Sequence, residues 1–131
     1  MTIRVLVADD QAMIRGALAG LLDLEHDIEV VAQAADGAQA LEELARLVSA
    51  DAPAHASAPV DVAIIDVEMP RMDGITATQA IRSRFPGVRV LIVTTFGRPG
   101  YLQRALDAGA TGFMVKDAPV EALADGVRTV A

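Results

Sequence analysis

Apolar residues in this chain fall into two alternating kinds of run. Five short stretches, Ile3–Ala8, Ile28–Ala34, 60–65, 88–93 and Gly112–Val115, are rich in Val and Ile. Most are nearly continuous in apolar residues rather than alternating, the pattern of strands buried on both faces of a sheet. Between them apolar residues recur every three or four positions, the period of one helix face. The stripes are Met13, Ile14, Ala17, Leu18, Leu21 and Leu22, then Leu41, Leu44, Ala45 and Val48, then Ile75, Thr78, Ile81 and Phe85. Leu102, Ala105 and Leu106 follow, and finally Val120, Leu123, Ala124 and Val127. Pro119 stands where it opens the last helix, Pro86-Gly87 where it closes the third and Gly109 where it closes the fourth. The order βαβαβαβαβα predicts an α/β fold: a doubly wound, five-stranded parallel sheet with right-handed crossovers and helices on both faces. Residues 1–131 are read as one domain with no internal repeat. Residues 49–59 have no apolar period and contain Pro53 and Pro59. They are predicted as a long flexible loop, a surface insertion.

In doubly wound sheets function belongs at the carboxyl ends of the strands. The first strand runs into Asp9-Asp10, the third into Asp66 within Ile64-Ile65-Asp66-Val67-Glu68-Met69-Pro70, and the fourth into Thr94-Thr95. The fifth is followed by Lys116. Each residue has an ordinary alternative role. Asp10 could cap the next helix, Thr94 could close a local hydrogen bond, and Lys116 could be a solvated charge. Asp66 is harder to explain so, because a carboxylate ending an apolar strand is costly unless it is paired. One reading covers the set: a hard divalent cation, Mg²⁺ before others, bound by clustered carboxylates around a carboxylate nucleophile. Asp9 and Asp10 would hold the metal, while Asp66 would both bind it and accept a phosphoryl group. Lys116 would pair with one phosphoryl oxygen as a compact point charge, and Thr94 would donate its hydroxyl to another.

Charge sharpens this picture. The 131 residues carry 18 acidic and 11 basic side chains, a formal net charge of -7. Ten of the bases are arginine, so Lys116 is the only lysine. A chain this acidic should repel phosphate backbones, which argues against nucleic-acid binding by these residues. With no cysteine, disulfides, thiolate metal sites and cysteine nucleophiles are excluded. No signal-peptide pattern and no apolar run of spanning length occur, so a soluble, cytoplasmic domain with no membrane partner is expected. His26 and His55 fall in different loops and are expected to be solvated.

The chain resembles the receiver domain of bacterial two-component response regulators. The matching segments are Val5-Leu6-Val7-Ala8-Asp9-Asp10, Asp66-Val67-Glu68-Met69-Pro70-Arg71-Met72-Asp73-Gly74, Leu91-Ile92-Val93-Thr94-Thr95-Phe96, and Ala108-Gly109-Ala110-Thr111-Gly112-Phe113-Met114-Val115-Lys116-Asp117. The resemblance implies a flavodoxin-like fold with strand order 2-1-3-4-5. It implies phosphorylation of Asp66 by a sensor histidine kinase, with Mg²⁺, or Mn²⁺ as an alternative, bound by Asp9, Asp10, Asp66 and the backbone carbonyl of Glu68. Thr94 and Lys116 would contact the phosphoryl group. Phe113 occupies the aromatic switch position, so Thr94 drawn toward the phosphoryl group would leave space for Phe113 to turn inward. Such a domain is not an enzyme beyond accepting its own phosphoryl group and slowly losing it. The Thr94-Thr95-Phe96 run and Lys116-Asp117 resemble the NarL/FixJ branch. Members of that branch dimerise on phosphorylation, often through the first and last helices, and carry a C-terminal LuxR-type DNA-binding domain that controls transcription. No such domain follows here before Ala131, and the branch resemblance favours a truncated chain over a stand-alone one. The acidic residue usual after the Thr-Thr-Phe run is replaced by Gly97, followed by Arg98-Pro99-Gly100.

Two other readings stay open on sequence grounds. A haloacid dehalogenase-type phosphatase also uses an aspartate nucleophile, Mg²⁺, a hydroxyl residue and a lysine. It needs a second aspartate two residues after the first, which neither Asp66-Val67-Glu68 nor Asp9-Asp10-Gln11 provides. A receiver fold acting as a phosphorylation-independent binding module is the other.

Overall fold

The computed structural model describes residues 2–51, 59–94, 100–116 and 118–131. His55, Gly97 and the rest of the 52–58 and 95–99 stretches, with Thr95, Phe96 and Asp117, lie outside the described residues. Ten elements alternate: β1 (Ile3–Ala8), α1 (Ala12–Asp23), β2 (Ile28–Ala34), α2 (Gly37–Asp51), β3 (Val62–Asp66), α3 (Gly74–Arg84), β4 (Arg89–Thr94), α4 (Tyr101–Asp107), β5 (Gly112–Val115) and α5 (Val120–Val130). All strand pairs are parallel and the sheet order is β2-β1-β3-β4-β5, the flavodoxin-like arrangement. Continuous apolar composition is explained by position. All of β3 and all but the first residue of β4 are buried, whereas every residue of the edge strand β5 is half-exposed.

Strand alternation sends successive side chains into two separate cores. Leu6, Ala63, Ile65, Val90 and Ile92 pack under α2, α3 and α4 with Leu44 and Ile81. Val5, Val7, Val62, Ile64 and Leu91 pack under α1 and α5 with Leu22, Leu123 and Val127.

Three expectations shift. The third and fourth strands begin one or two residues later than predicted and end on Asp66 and Thr94 themselves, because the ladder starts only where Val5 meets Val62 and Val62 meets Arg89. Helix α2 continues through Asp51, three residues into the predicted loop, since no helix breaker precedes Pro53. The α1 stripe is mostly not core. Only Ala19 and Leu22 are buried, while Met13 is 89% exposed and Leu21 42%.

Candidate functional site

Parallel register builds the site. Ala8 lies beside Ile65, so Asp9 emerges next to Asp66; Asp66 pairs with Val93, and Thr94 with Val115, one residue before Lys116. The backbone N–H of Lys116 donates to the Thr94 carbonyl at 2.7 Å, which fixes the start of the Lys116 side chain relative to β4. Four residues remote in sequence thereby meet at the carboxyl edge of the sheet.

Carboxylate oxygens of Asp9, Asp10 and Asp66 all lie within 4.8 Å of one another. Asp9 and Asp66 are buried and Asp10 is exposed. The Lys116 ammonium bridges the buried pair, 2.9 Å from Asp9 Oδ2 and 3.1 Å from Asp66 Oδ2. Burial pushes the Asp66 carboxyl up to about 6; Lys116 opposes this, and the neighbouring Asp9 and Asp10 charges add to it. Burial also works against the Lys116 charge, yet its bonds to Asp9 and Asp66 outweigh that and raise it. A cluster of oxygen ligands that crowds negative charge this closely could hold a metal ion, and a hard divalent cation suits its donor set. Above it opens a cleft of about 430 Å³ lined by Asp10, Gln11, Ile14, Asp66, Glu68 and Lys116.

The Thr94 hydroxyl oxygen is buried and has no hydrogen-bond partner among the described residues. A buried hydroxyl normally finds one, so this donor stands unused at the sheet edge. It removes the reading of Thr94 as a locally bonded strand end. The capping role considered for Asp10 is not realised either: Gln11 holds the cap position before α1, and its side chain makes no capping hydrogen bond. Lys116 is paired rather than solvated. Phe113 is half-buried on β5, packed against the core beneath α2, α3 and α4. It does not line the cleft, but alternation puts it on the same sheet face as Thr94, with Phe113 beside Ile92 and Thr94 beside Val115. His26 is exposed and distant in the fold, on the turn after α1.

The β3–α3 loop that carries Glu68 is fastened in ways the sequence did not disclose. Arg71 has a left-handed backbone, φ 64°, and its guanidinium grips buried Asp36, with Nε 2.8 Å from Oδ2. The Asp36 carboxyl is held below the usual range, by the Gln39 backbone N–H first and then by Arg71. Beside it, the Gly37 N–H donates to the Met72 carbonyl at 3.0 Å. Arg15 was also missed: its Nη1 donates to the Asp9 carbonyl at 2.7 Å. A six-residue separation between an acidic strand end and an arginine in the next helix's first turns was the only signal for it.

A family profile described as the response regulator receiver domain matches residues 5–128. The chain is 41% identical over 128 residues to the transcriptional regulatory protein DesR of Bacillus subtilis, covering 98% of this chain. It is 40% identical over 126 residues to the transcriptional regulatory protein YvfU of the same organism, covering 96% of this chain. It spans 58% of the length of each of these relatives. A DNA-binding response regulator of the LuxR family from Staphylococcus aureus superimposes with a TM-score of 0.84 at 30% identity, over 98% of both chains. These relatives are regulators rather than metabolic enzymes, and the sheet order and the match across nearly the whole chain agree. The chain belongs to the receiver-domain family of two-component response regulators, among relatives of the LuxR/NarL type.

Proposed function

We propose that Asp66 is the phosphoacceptor of this receiver, and that Asp9, Asp10, Asp66 and the backbone carbonyl of Glu68 bind Mg²⁺ or Mn²⁺. The carrying observation is the meeting of three carboxylates, the Lys116 ammonium and the unpartnered Thr94 hydroxyl at one sheet edge. An Asp66 oxygen attacks the phosphorus of a phosphohistidine on a sensor kinase; the new O–P bond forms as the imidazole nitrogen leaves. When bound, the divalent cation neutralises the negative charge that carboxylate and phosphoryl oxygens bring together. Lys116 shifts from carboxylate pairing toward a phosphoryl oxygen, and the Thr94 hydroxyl donates to another. Movement of Thr94 opens space on the face it shares with Phe113, which turns inward and alters the surface near α4 and β5.

In this reading residues 1–131 form one receiver domain that dimerises on phosphorylation, binds no nucleic acid itself and slowly loses its phosphoryl group. DNA-binding output and transcriptional control would reside in further residues of a longer, cytoplasmic protein, as its likeness to transcriptional and DNA-binding regulators supports. None of the helices, among the described residues, is long and apolar enough to cross a membrane. A haloacid dehalogenase-type phosphatase is not favoured, given the family match. The test is labelling by a small phosphodonor with Mg²⁺. Wild type should be labelled and Asp66→Asn should not; labelling of the variant at the wild-type rate would refute the assignment.

A further inference from the structure

We propose that Arg15 is a positioning residue for the cation-binding turn, its guanidinium fixing the Asp9 carbonyl and so the direction of the Asp10 carboxylate. This rests on the reading that Asp9 and Asp10 bind a divalent cation. Asp9 is bonded at every polar atom. Its N–H donates to the Ala34 carbonyl at 3.0 Å, and its Oδ1 accepts from the Gln11 N–H at 2.9 Å. Its Oδ2 meets Lys116 at 2.9 Å, and its carbonyl accepts from Arg15 Nη1 at 2.7 Å. The Asp9 carbonyl belongs to the peptide plane that continues into Asp10. Clamping that oxygen sets how the exposed Asp10 projects beside Asp66. The Gln11 side chain makes no capping bond to α1, and Arg15 returns to the turn from the helix, its own N–H bonded to the Gln11 carbonyl at 2.9 Å. The arginine is thus the one side chain of α1 that braces the turn from outside the carboxylate cluster, among the hydrogen bonds of the described residues.

Two roles for such a cation predict opposite signs. A charge acting only through space beside an acidic site repels Mg²⁺, so its removal would tighten binding. A brace that pre-organises a ligand weakens binding when it is lost. The experiment is a Mg²⁺ titration of the whole chain, followed through the backbone amides of Asp10 and Gln11, on wild type, Arg15→Gln, Arg15→Lys and the remote charge control Arg46→Gln. Losing one charge-assisted hydrogen bond to the turn should raise the half-saturating Mg²⁺ concentration about tenfold in Arg15→Gln. Arg15→Lys should fall between, because an ammonium keeps charge and a donor but not the fork geometry. Arg46→Gln should match wild type. Equal or tighter Mg²⁺ binding by Arg15→Gln overturns the proposal while leaving the site intact; a wild-type chain that takes up no Mg²⁺ overturns the site and the proposal together. Because the titration compares folded proteins, a general loss of stability alone would not move it.

Discussion

Asp66 concentrates the tension of this molecule in one side chain. It is 5% exposed and ends a fully buried strand, and burial, with Asp9 and Asp10 nearby, pushes its carboxyl up to about 6 against the pull of Lys116. Between the ordinary value of 3.8 and about 6 the folded chain therefore holds more proton at this position than the unfolded chain does. By linkage, the stability from this group is present below pH 3.8 and is lost as pH rises through about 6. Asp66→Asn removes the buried charge. Without metal at pH 7.5 it should be more stable than wild type by roughly 1–3 kcal/mol, an advantage that disappears below about pH 4. Added Mg²⁺ should narrow the gap at pH 7.5, because wild type keeps the Asp66 ligand and gains more from binding. Urea unfolding of both chains across pH, with and without Mg²⁺, checks each sign; a variant less stable than wild type at pH 7.5 would show that Asp66 is held by pairing rather than strained by burial. The same carboxyl should accept the phosphoryl group more slowly as pH falls below about 6, because the protonated acid is a poor nucleophile.

At the scale of elements, the hand-over from β3 to α3 matters most, since it carries both Asp66 and Glu68. Asp73 caps α3, accepting from the Thr76 N–H at 2.8 Å, and the Gly74 N–H donates to the Val67 carbonyl at 2.8 Å. Here glycine is needed for space: a Cβ at residue 74 would sit 2.1 Å from the Asp66 carbonyl oxygen. Gly74→Ala must push α3 away from the end of β3. It should cost about 3 kcal/mol in urea unfolding and slow Asp66 labelling, because the loop shifts with the helix. Wild-type stability would mean that the helix start slides without resistance. Arg71 and Asp36 tie the far side of this loop to the start of α2, so displacement of α3 is resisted from both directions.

For the whole molecule, the unequal burial of the helices points to where a second copy would dock. The apolar residues Leu123, Ala124, Val127 and Val130 of α5 are consumed by the core. By contrast α1 leaves Met13, Ile14 and Leu21 exposed, and Leu24 just beyond it is 79% exposed; α4 leaves Leu102 and Leu106. Apolar exposure of this kind offers α1 and α4 as surfaces for the proposed dimer. Arg128 binds Glu25 at 2.6 Å and Asp27 at 2.8 Å, locking the last turn of α5 to the turn after α1, so the two helices present themselves as a unit. In the proposed switch, coupling of this surface to phosphorylation would run through Phe113. Phe113→Ala should still accept a phosphoryl group but remain monomeric under saturating beryllofluoride and Mg²⁺, where wild type should dimerise. Sedimentation velocity with and without beryllofluoride decides it, and equal dimerisation of both chains would remove Phe113 from the switch.

The order of elements, the parallel sheet and the placement of Asp9, Asp10, Asp66, Thr94 and Lys116 at strand ends were legible in the sequence. Local hydrophobic period separates strand from helix, and parallel topology then sends every strand's carboxyl end to one edge. Periodicity says that a residue is apolar, not whether a neighbour covers it, so the split of α1 between core and surface waited for the packing of α5 and β2 against it. Register between remote strands decided that the Lys116 ammonium would touch Asp9 as well as Asp66 and that the Thr94 hydroxyl would be buried without a partner. The grip of Arg71 on Asp36 spans 35 residues, and that of Arg128 on Asp27 spans 101. Long side chains choose such partners from whatever the folded surface brings within reach. The sequence by itself determined which groups gather at the sheet edge; only the tertiary structure decided their pairing, burial and charge state, because those depend on distances that no local pattern encodes.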